Sequence, residues 1–195
     1  MPNRQVALLF EDVVEGQWYV PAITYVYNNN FMKGVSDTEF APNKTLTREQ
    51  FVTVLYNIEK QHNVQYKRIF TDVPNKEWYT KAVVWAYNNK ITKGIDEIRF
   101  GTGQTITREQ TATMLYNYAQ YKKLKGVAKN KDLSSFPDYK KVSSWAKEGV
   151  IWAVSNGVVN GKASNGKNYL DPAGKATRAE CAQMVKNLFD KVIKK

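Results

Sequence analysis

A unit of roughly 60 residues occurs three times in this chain, and that period limits the fold more than any local propensity does. Phe10, Phe70 and Phe136 each stand two residues before an aspartate, giving Asp12, Asp72 and Asp138. Eight, eight and nine residues after the Phe come Trp18, Trp78 and Trp145, and sixteen after each Trp come Gly34, Gly94 and Gly161. A further 13, 13 and 16 residues on, Thr47, Thr107 and Thr177 each precede an arginine: Arg48, Arg108 and Arg178. The third loop is therefore three residues longer. The repeat places unit boundaries at 1–64, 65–125 and 126–195.

Each unit predicts two helices. After the Trp, small or apolar residues fall four, five, eight and nine positions on: Ala22/Ile23/Val26/Tyr27, Ala82/Val83/Ala86/Tyr87 and Gly149/Val150/Ala153/Val154. That spacing marks one buried helical stripe. Asn28 to Asn30 and Asn88–Asn89 then supply residues that tolerate a left-handed turn. The second helix opens on a capping box, Thr-x-x-Gln in units one and two and Thr-x-x-Glu in unit three, ending at Gln50, Gln110 and Glu180. Its stripe continues through Val52/Leu55/Ile58, Ala112/Leu115/Tyr118 and Ala182/Val185/Leu188. One helix pair cannot bury both stripes, so the fold class is mainly α, with three helix-pair repeats packed on one another.

Charge narrows the partners. With 29 basic and 18 acidic residues the net charge is +11, which attracts anions such as nucleic acid, anionic lipid or acidic glycan. No apolar run reaches the length of a membrane span, and the first five residues are no signal peptide, so an exported parent implies that this chain is an excised piece. The linker 121–135 carries Lys122, Lys123, Lys125, Lys129 and Lys131, a solvated stretch on first reading and a polyanion contact on the second.

Three residue sets stand out as candidates for binding. Arg48, Arg108 and Arg178 occupy the first helical position, where the helix dipole disfavours a cation by about 0.3–1 kcal/mol. An unfavourable choice made three times implies that each guanidinium meets an anion, either a ligand carboxylate or an internal acid such as the Asp of Phe-x-Asp. Trp18, Trp78 and Trp145 read first as core and second as binding platforms. Gly34, Gly94 and Gly161 allow either a positive φ or a close ligand approach.

Phe-x-Asp, the Trp followed four residues later by Ala or Gly, the loop Gly, and Phe-x-Pro-x-x-x-x-Thr-Arg at 40–48 together resemble the surface-layer homology (SLH) repeats. The resemblance runs from Phe10 to about Phe189. It implies a pseudo-threefold unit around a central helix bundle, with grooves between neighbouring repeats. The implied ligand is a peptidoglycan-linked secondary cell-wall polysaccharide, commonly carrying anionic pyruvate ketals, and the implied location is the extracellular cell wall or S-layer. By position the glycan-binding residues are Arg48, Arg108, Arg178, Asp12, Asp72, Asp138, Trp18, Trp78, Trp145, Gly34, Gly94 and Gly161. No cofactor, metal or membrane insertion is implied.

The chain departs from the family pattern in ways that predict unequal grooves. Units one and two read Arg-Glu-Gln where the family prefers Arg-Ala-Glu. The Gly expected just after the first helix is Gly157 in unit three but Asn30 and Lys90 elsewhere, and unit two replaces the loop Pro with Phe100-Gly101-Thr102-Gly103. Rival functions have less support. One His (His62) and one Cys (Cys181) form no catalytic or metal-spaced cluster, so no enzyme is expected. Cys181 aligns with Phe51 and Thr111, which predicts a core thiol, and His62 is expected at the surface. Nucleic-acid binding draws on the charge and the 13% aromatic content but finds no recognisable motif, and a protein-assembly module remains the third possibility.

Overall fold

A computed structural model describes residues 6–60, 63–124 and 132–194; His62 and the linker lysines Lys125, Lys129 and Lys131 lie outside them. The described chain is mainly helical. Unit one contributes α1 (Val20–Asn28) and α2 (Arg48–Ile58), unit two α3 (Thr80–Asn88) and α4 (Arg108–Tyr121), and unit three α5 (Lys147–Ser155) and α6 (Arg178–Leu188). No helix among the described residues is long and apolar enough to cross a membrane.

The helices start and stop as the local sequence dictates. Pro21 sits in the first turn of α1, where its missing N–H costs nothing. Two residues after the first helices, Asn30, Lys90 and Gly157 turn the chain with φ of 60°, 59° and 67°, so the left-handed turn survives in units one and two without glycine. The departures at Asn30 and Lys90 therefore leave the backbone shape intact. At α4 and α6 the Thr107 and Thr177 hydroxyls accept from the N–H of Gln110 and Glu180, whose side chains accept from the Thr N–H in return. At α2, Gln50 Oε1 accepts from the Thr47 N–H at 3.0 Å, while the buried Thr47 Oγ1 finds no bonded partner among the described residues.

The extensive helix contacts run between units rather than within them. α2 packs on α3, α4 on α5, and α6 returns to α1, closing a ring. The buried stripes supply the contact surfaces, apart from Tyr87, which is exposed, and Tyr27 and Ile58, which are half-buried. Phe51, Thr111 and Cys181, equivalent positions of α2, α4 and α6, are fully buried, making these three the inner helices. Burial pushes the Cys181 thiol pKa far up, which makes it an inert core residue.

A closed circle of backbone hydrogen bonds marks the pseudo-threefold centre. The Leu46 N–H donates to Ala176, Ala176 to Ile106 and Ile106 back to Leu46, at 3.1, 3.0 and 2.9 Å. The next residue pair extends the relay: the helix-opening N–H groups of Arg48, Arg108 and Arg178 donate to the carbonyls of Gln104, Gly174 and Lys44. Each second helix thus has an orphan N-terminal donor satisfied by a neighbouring unit.

The extra residues of unit three form a hairpin, β1 (Lys162–Ser164) paired antiparallel with β2 (Lys167–Tyr169). Its turn is Asn165-Gly166, both at positive φ, the conformation that fits the twist of a two-residue hairpin. The Asn-Gly dipeptide is the sequence signal for this element.

Candidate functional site

The three tryptophans point outward. Trp18, Trp78 and Trp145 are 57, 61 and 57% exposed, which overturns the core reading and leaves the platform reading. The cause is local: the very next residues, Tyr19, Tyr79 and Ala146, are buried and set the turn, so the preceding side chain faces solvent. Tyr19 and Tyr79 also support Trp18 and Trp78 edge-on, at ring centroid distances of 5.5 and 5.2 Å. Trp145 is fixed differently. Glu109, at the start of α4, accepts from both the N–H and the hydroxyl of Ser143, at 2.9 and 2.8 Å, tying the Trp145 turn to the preceding unit.

Arginines show the opposite behaviour. Arg48, Arg108 and Arg178 are 3, 4 and 8% exposed. Each Nε donates to a backbone carbonyl of the next unit: Arg48 to Phe100 at 3.0 Å, Arg108 to Leu170 at 2.8 Å, and Arg178 to Phe40 at 2.6 Å. Arg108 and Arg178 add an Nη2 bond to the carbonyls of Asn160 and Lys33. Arg48 and Arg178 also lie over the rings of Phe100 and Phe40, 5.0 and 4.5 Å from the centroids. Burial lowers the pKa of both. Peptide carbonyls of the next unit therefore offset the unfavourable helix dipole, joined at Arg108 by the carboxylate of Glu180, 3.3 Å from Nη1.

The Phe-x-Asp aspartates grip the other side of the same residues. Asp12 accepts from the N–H of Phe40 and Ala41, Asp72 from Phe100, Gly101 and Thr102, and Asp138 from Leu170 and Asp171, all within 2.6–2.9 Å. Burial opposes ionisation of Asp72, but these N–H groups outweigh it and hold the carboxyl below its usual range. Arg and Asp thus meet through one shared residue, with no ion pair between them among the described residues. The replacement of proline in unit two does not break this clamp, since Gly101, at φ 88°, takes the place of Ala41 and Asp171, at 57° and 51°.

The loop glycines answer to crowding more than to conformation. Only Gly94 of the three has a positive φ. A Cβ at Gly34 or Gly94 would lie 2.6 or 2.7 Å from Phe10 or Phe70, the aromatic residues of Phe-x-Asp, and one at Gly161 would meet Asn168.

These pieces converge in a groove of about 620 Å³ between units two and three. Trp145, Lys93, Gly94, Gln110 and the buried Arg48 contribute to its walls, together with a Tyr116–Glu148 pair. Tyr116 donates to Glu148 Oε1 at 2.5 Å, and that bond, with burial, pushes the phenol pKa to about 12. The pseudo-threefold places Trp78, Lys33, Gln50 and Arg178 at the equivalent positions between units one and two, and Trp18, Asn160, Glu180 and Arg108 between units three and one, where Lys162, two residues further on, pairs with Glu180. The groove lysines Lys33, Lys93 and Lys162, the tether Glu109 and the Tyr116–Glu148 pair were not singled out by sequence reasoning, because nothing in the motif spacing marks them.

A chain of three such units, with an outward Trp and a buried helix-opening Arg in each, is a repeat module built to present grooves. The S-layer homology domain matches it at residues 9–52, 69–112 and 135–182, and the chain belongs to that family. It is accordingly a cell-surface anchoring module of tandem SLH repeats. Exoglucanase XynX of Acetivibrio thermocellus is 32% identical over 186 residues, 95% of this chain and 16% of that protein. An amylopullulanase of Thermoanaerobacterium thermosulfurigenes is 32% identical over 93% of this chain and 10% of its own length. The surface-layer 125 kDa protein of Lysinibacillus sphaericus is 29% identical over 88% of this chain and 14% of its own. The chain thus spans less than a fifth of each of these relatives.

Proposed function

We propose that the chain holds a larger parent protein on the cell wall by binding an anionic, pyruvylated secondary cell-wall polysaccharide in the grooves between repeats. The observation that carries this is the exposure of Trp18, Trp78 and Trp145 at equivalent positions, one of them walling the groove that Lys93 and Arg48 also line. An indole face offers apolar area to the C–H face of a sugar ring, and the flanking cations attract a ketal carboxylate. Tryptophan and lysine contact the glycan directly. Arg48, Arg108 and Arg178 supply a guanidinium edge, while Asp12, Asp72, Asp138 and the loop glycines position the groove backbone. The parent protein, by analogy with relatives that are surface-layer proteins or polysaccharide-degrading enzymes, carries its own activity elsewhere. The units occupy 1–64, 65–125 and 126–195.

Calorimetry against purified wall polysaccharide, before and after chemical removal of pyruvate, tests this reading. One charge-assisted contact is worth about 1.5–3 kcal/mol, so removal is expected to weaken binding roughly ten- to a hundredfold per carboxylate. Equal affinity for the two glycans, or tight binding of single-stranded DNA, contradicts it.

A further inference from the structure

Three Asn-Gly pairs occur in the chain, Asn156-Gly157, Asn160-Gly161 and Asn165-Gly166, and all of them fall between positions 156 and 166 of unit three. An asparagine before glycine is open to attack by the next backbone nitrogen on its own side chain, because glycine has no Cβ to shield that nitrogen. What holds the two groups decides whether the attack proceeds, and the three pairs are held differently.

Asn156 is tied down. Its Nδ2 donates to the Trp152 carbonyl at 2.9 Å, and the Gly157 N–H donates to Val154 at 3.1 Å. Asn165 and Gly166 are exposed on the hairpin turn, but the arginine side chains that donate hydrogen bonds among the described residues all do so elsewhere. Asn160 combines both requirements. It is exposed, and among the described residues neither its carboxamide nor the Gly161 N–H has a hydrogen-bond partner. Its main-chain carbonyl accepts from Arg108 Nη2 at 2.9 Å. Arg108 is only 4% exposed, and the Leu170 carbonyl at 2.8 Å and Glu180 at 3.3 Å fix its guanidinium. A buried cation thus bears on the peptide bond whose nitrogen is the nucleophile. A fixed donor on that carbonyl draws electron density from the nitrogen and stabilises its deprotonated form.

We infer that Asn160-Gly161 is a self-modifying site, at which Asn160 converts to isoaspartate under the direction of Arg108. The deprotonated Gly161 nitrogen attacks Asn160 Cγ, the new N–Cγ bond forms as the Cγ–Nδ2 bond breaks, and ammonia leaves with a proton from solvent. Water then adds to the main-chain carbonyl of the resulting cyclic imide and breaks its bond to the Gly161 nitrogen. The chain now runs through Cγ, and the former carbonyl oxygen belongs to a carboxylate. Arg108 acts on both steps, since it makes that carbonyl the more electrophilic of the two and pairs with the carboxylate it becomes. The reaction consumes only water and is independent of what the grooves bind. It adds one negative charge and one main-chain carbon to the groove between units three and one, where Arg108 and Lys162 already face Glu180.

The test is to age the protein in mildly alkaline buffer, folded and urea-unfolded, and to map peptides by mass spectrometry with fragmentation that separates isoaspartate from aspartate. Folded protein is expected to convert Asn160, with an isoaspartate share above that of the unfolded chain. Asn156 reacts only after local opening, and an opening cost above about 1.4 kcal/mol makes it at least about tenfold slower than Asn160 in the folded state. In Asn160→Gln, whose longer side chain closes a ring less readily, the change at this peptide is expected to disappear. An Asn160 that stays intact in folded protein while the unfolded chain converts it overturns the inference. So does an isoaspartate share that is the same in both states, because Arg108 then directs nothing.

Discussion

The centre of the molecule and its rim obey the threefold to different degrees. At the centre, Leu46, Ile106 and Ala176 close a circle through backbone atoms, and three arginines each reach a carbonyl held by an aspartate of the next unit. At the rim the same positions read Lys33, Lys93 and Asn160, or Gln50, Gln110 and Glu180. Backbone bonding is indifferent to side-chain identity, so the centre tolerates Leu, Ile and Ala in one ring. The rim acts through side chains, so every substitution there changes what a groove can hold. Symmetry belongs to the scaffold, and specificity to its departures from symmetry.

The strongest way to break the centre is Arg108→Ala. It leaves the carbonyls of Leu170 and Asn160 without their donor and opens a cavity between units, so a loss of about 3 kcal/mol or more is expected in urea unfolding. Because helix contacts pass from unit to unit, that loss should appear as one shifted cooperative transition rather than as the melting of one unit.

Asp72→Asn attacks the other half of the clamp. The Asn amide keeps one acceptor oxygen, so at least one of the three N–H donors is left facing an NH2 group, and a loss of at least about 1.5–3 kcal/mol is expected at neutral pH. The folded-state pKa of Asp72 is depressed, so the unfolded chain binds the proton first as pH falls. The advantage of wild type over the variant should therefore be full above the ordinary carboxylate pKa of about 4 and shrink on acidification through and below it. Denaturant midpoints across that range check the sign.

Lys90→Gly has a smaller effect of opposite sign. Lys90 holds a left-handed φ of 59° where unit three has Gly157 at 67°. Relieving that strain is expected to stabilise the protein by about 0.5–1 kcal/mol, after the entropy that glycine adds to the unfolded chain, seen as a raised urea midpoint.

The periodicity made the helices, their boxed N-termini and the buried stripes legible, because those depend on residues close in sequence. Core placement of Cys181 followed from its alignment with Phe51 and Thr111. The partners of the arginines were not legible: a carbonyl carries no side-chain signature, so Phe100 and Leu170 gave no sign that their oxygens would receive Arg48 and Arg108. The outward turn of the tryptophans was equally hidden, since it depends on which of two adjacent large residues, Trp78 or Tyr79, the turn buries. The exchange of helix partners between units also escapes a period count, which is the same for a helix packed on its own unit or on the next.

The contrast between centre and rim is tested most directly by the combined variant Trp18→Ala, Trp78→Ala and Trp145→Ala, titrated with purified wall polysaccharide in parallel with urea unfolding. Exposed side chains contribute little to folding, so stability should move by no more than about 0.5 kcal/mol per site, while binding falls at least tenfold. Wild-type affinity in the folded triple variant would contradict the assignment of the grooves as the binding surface.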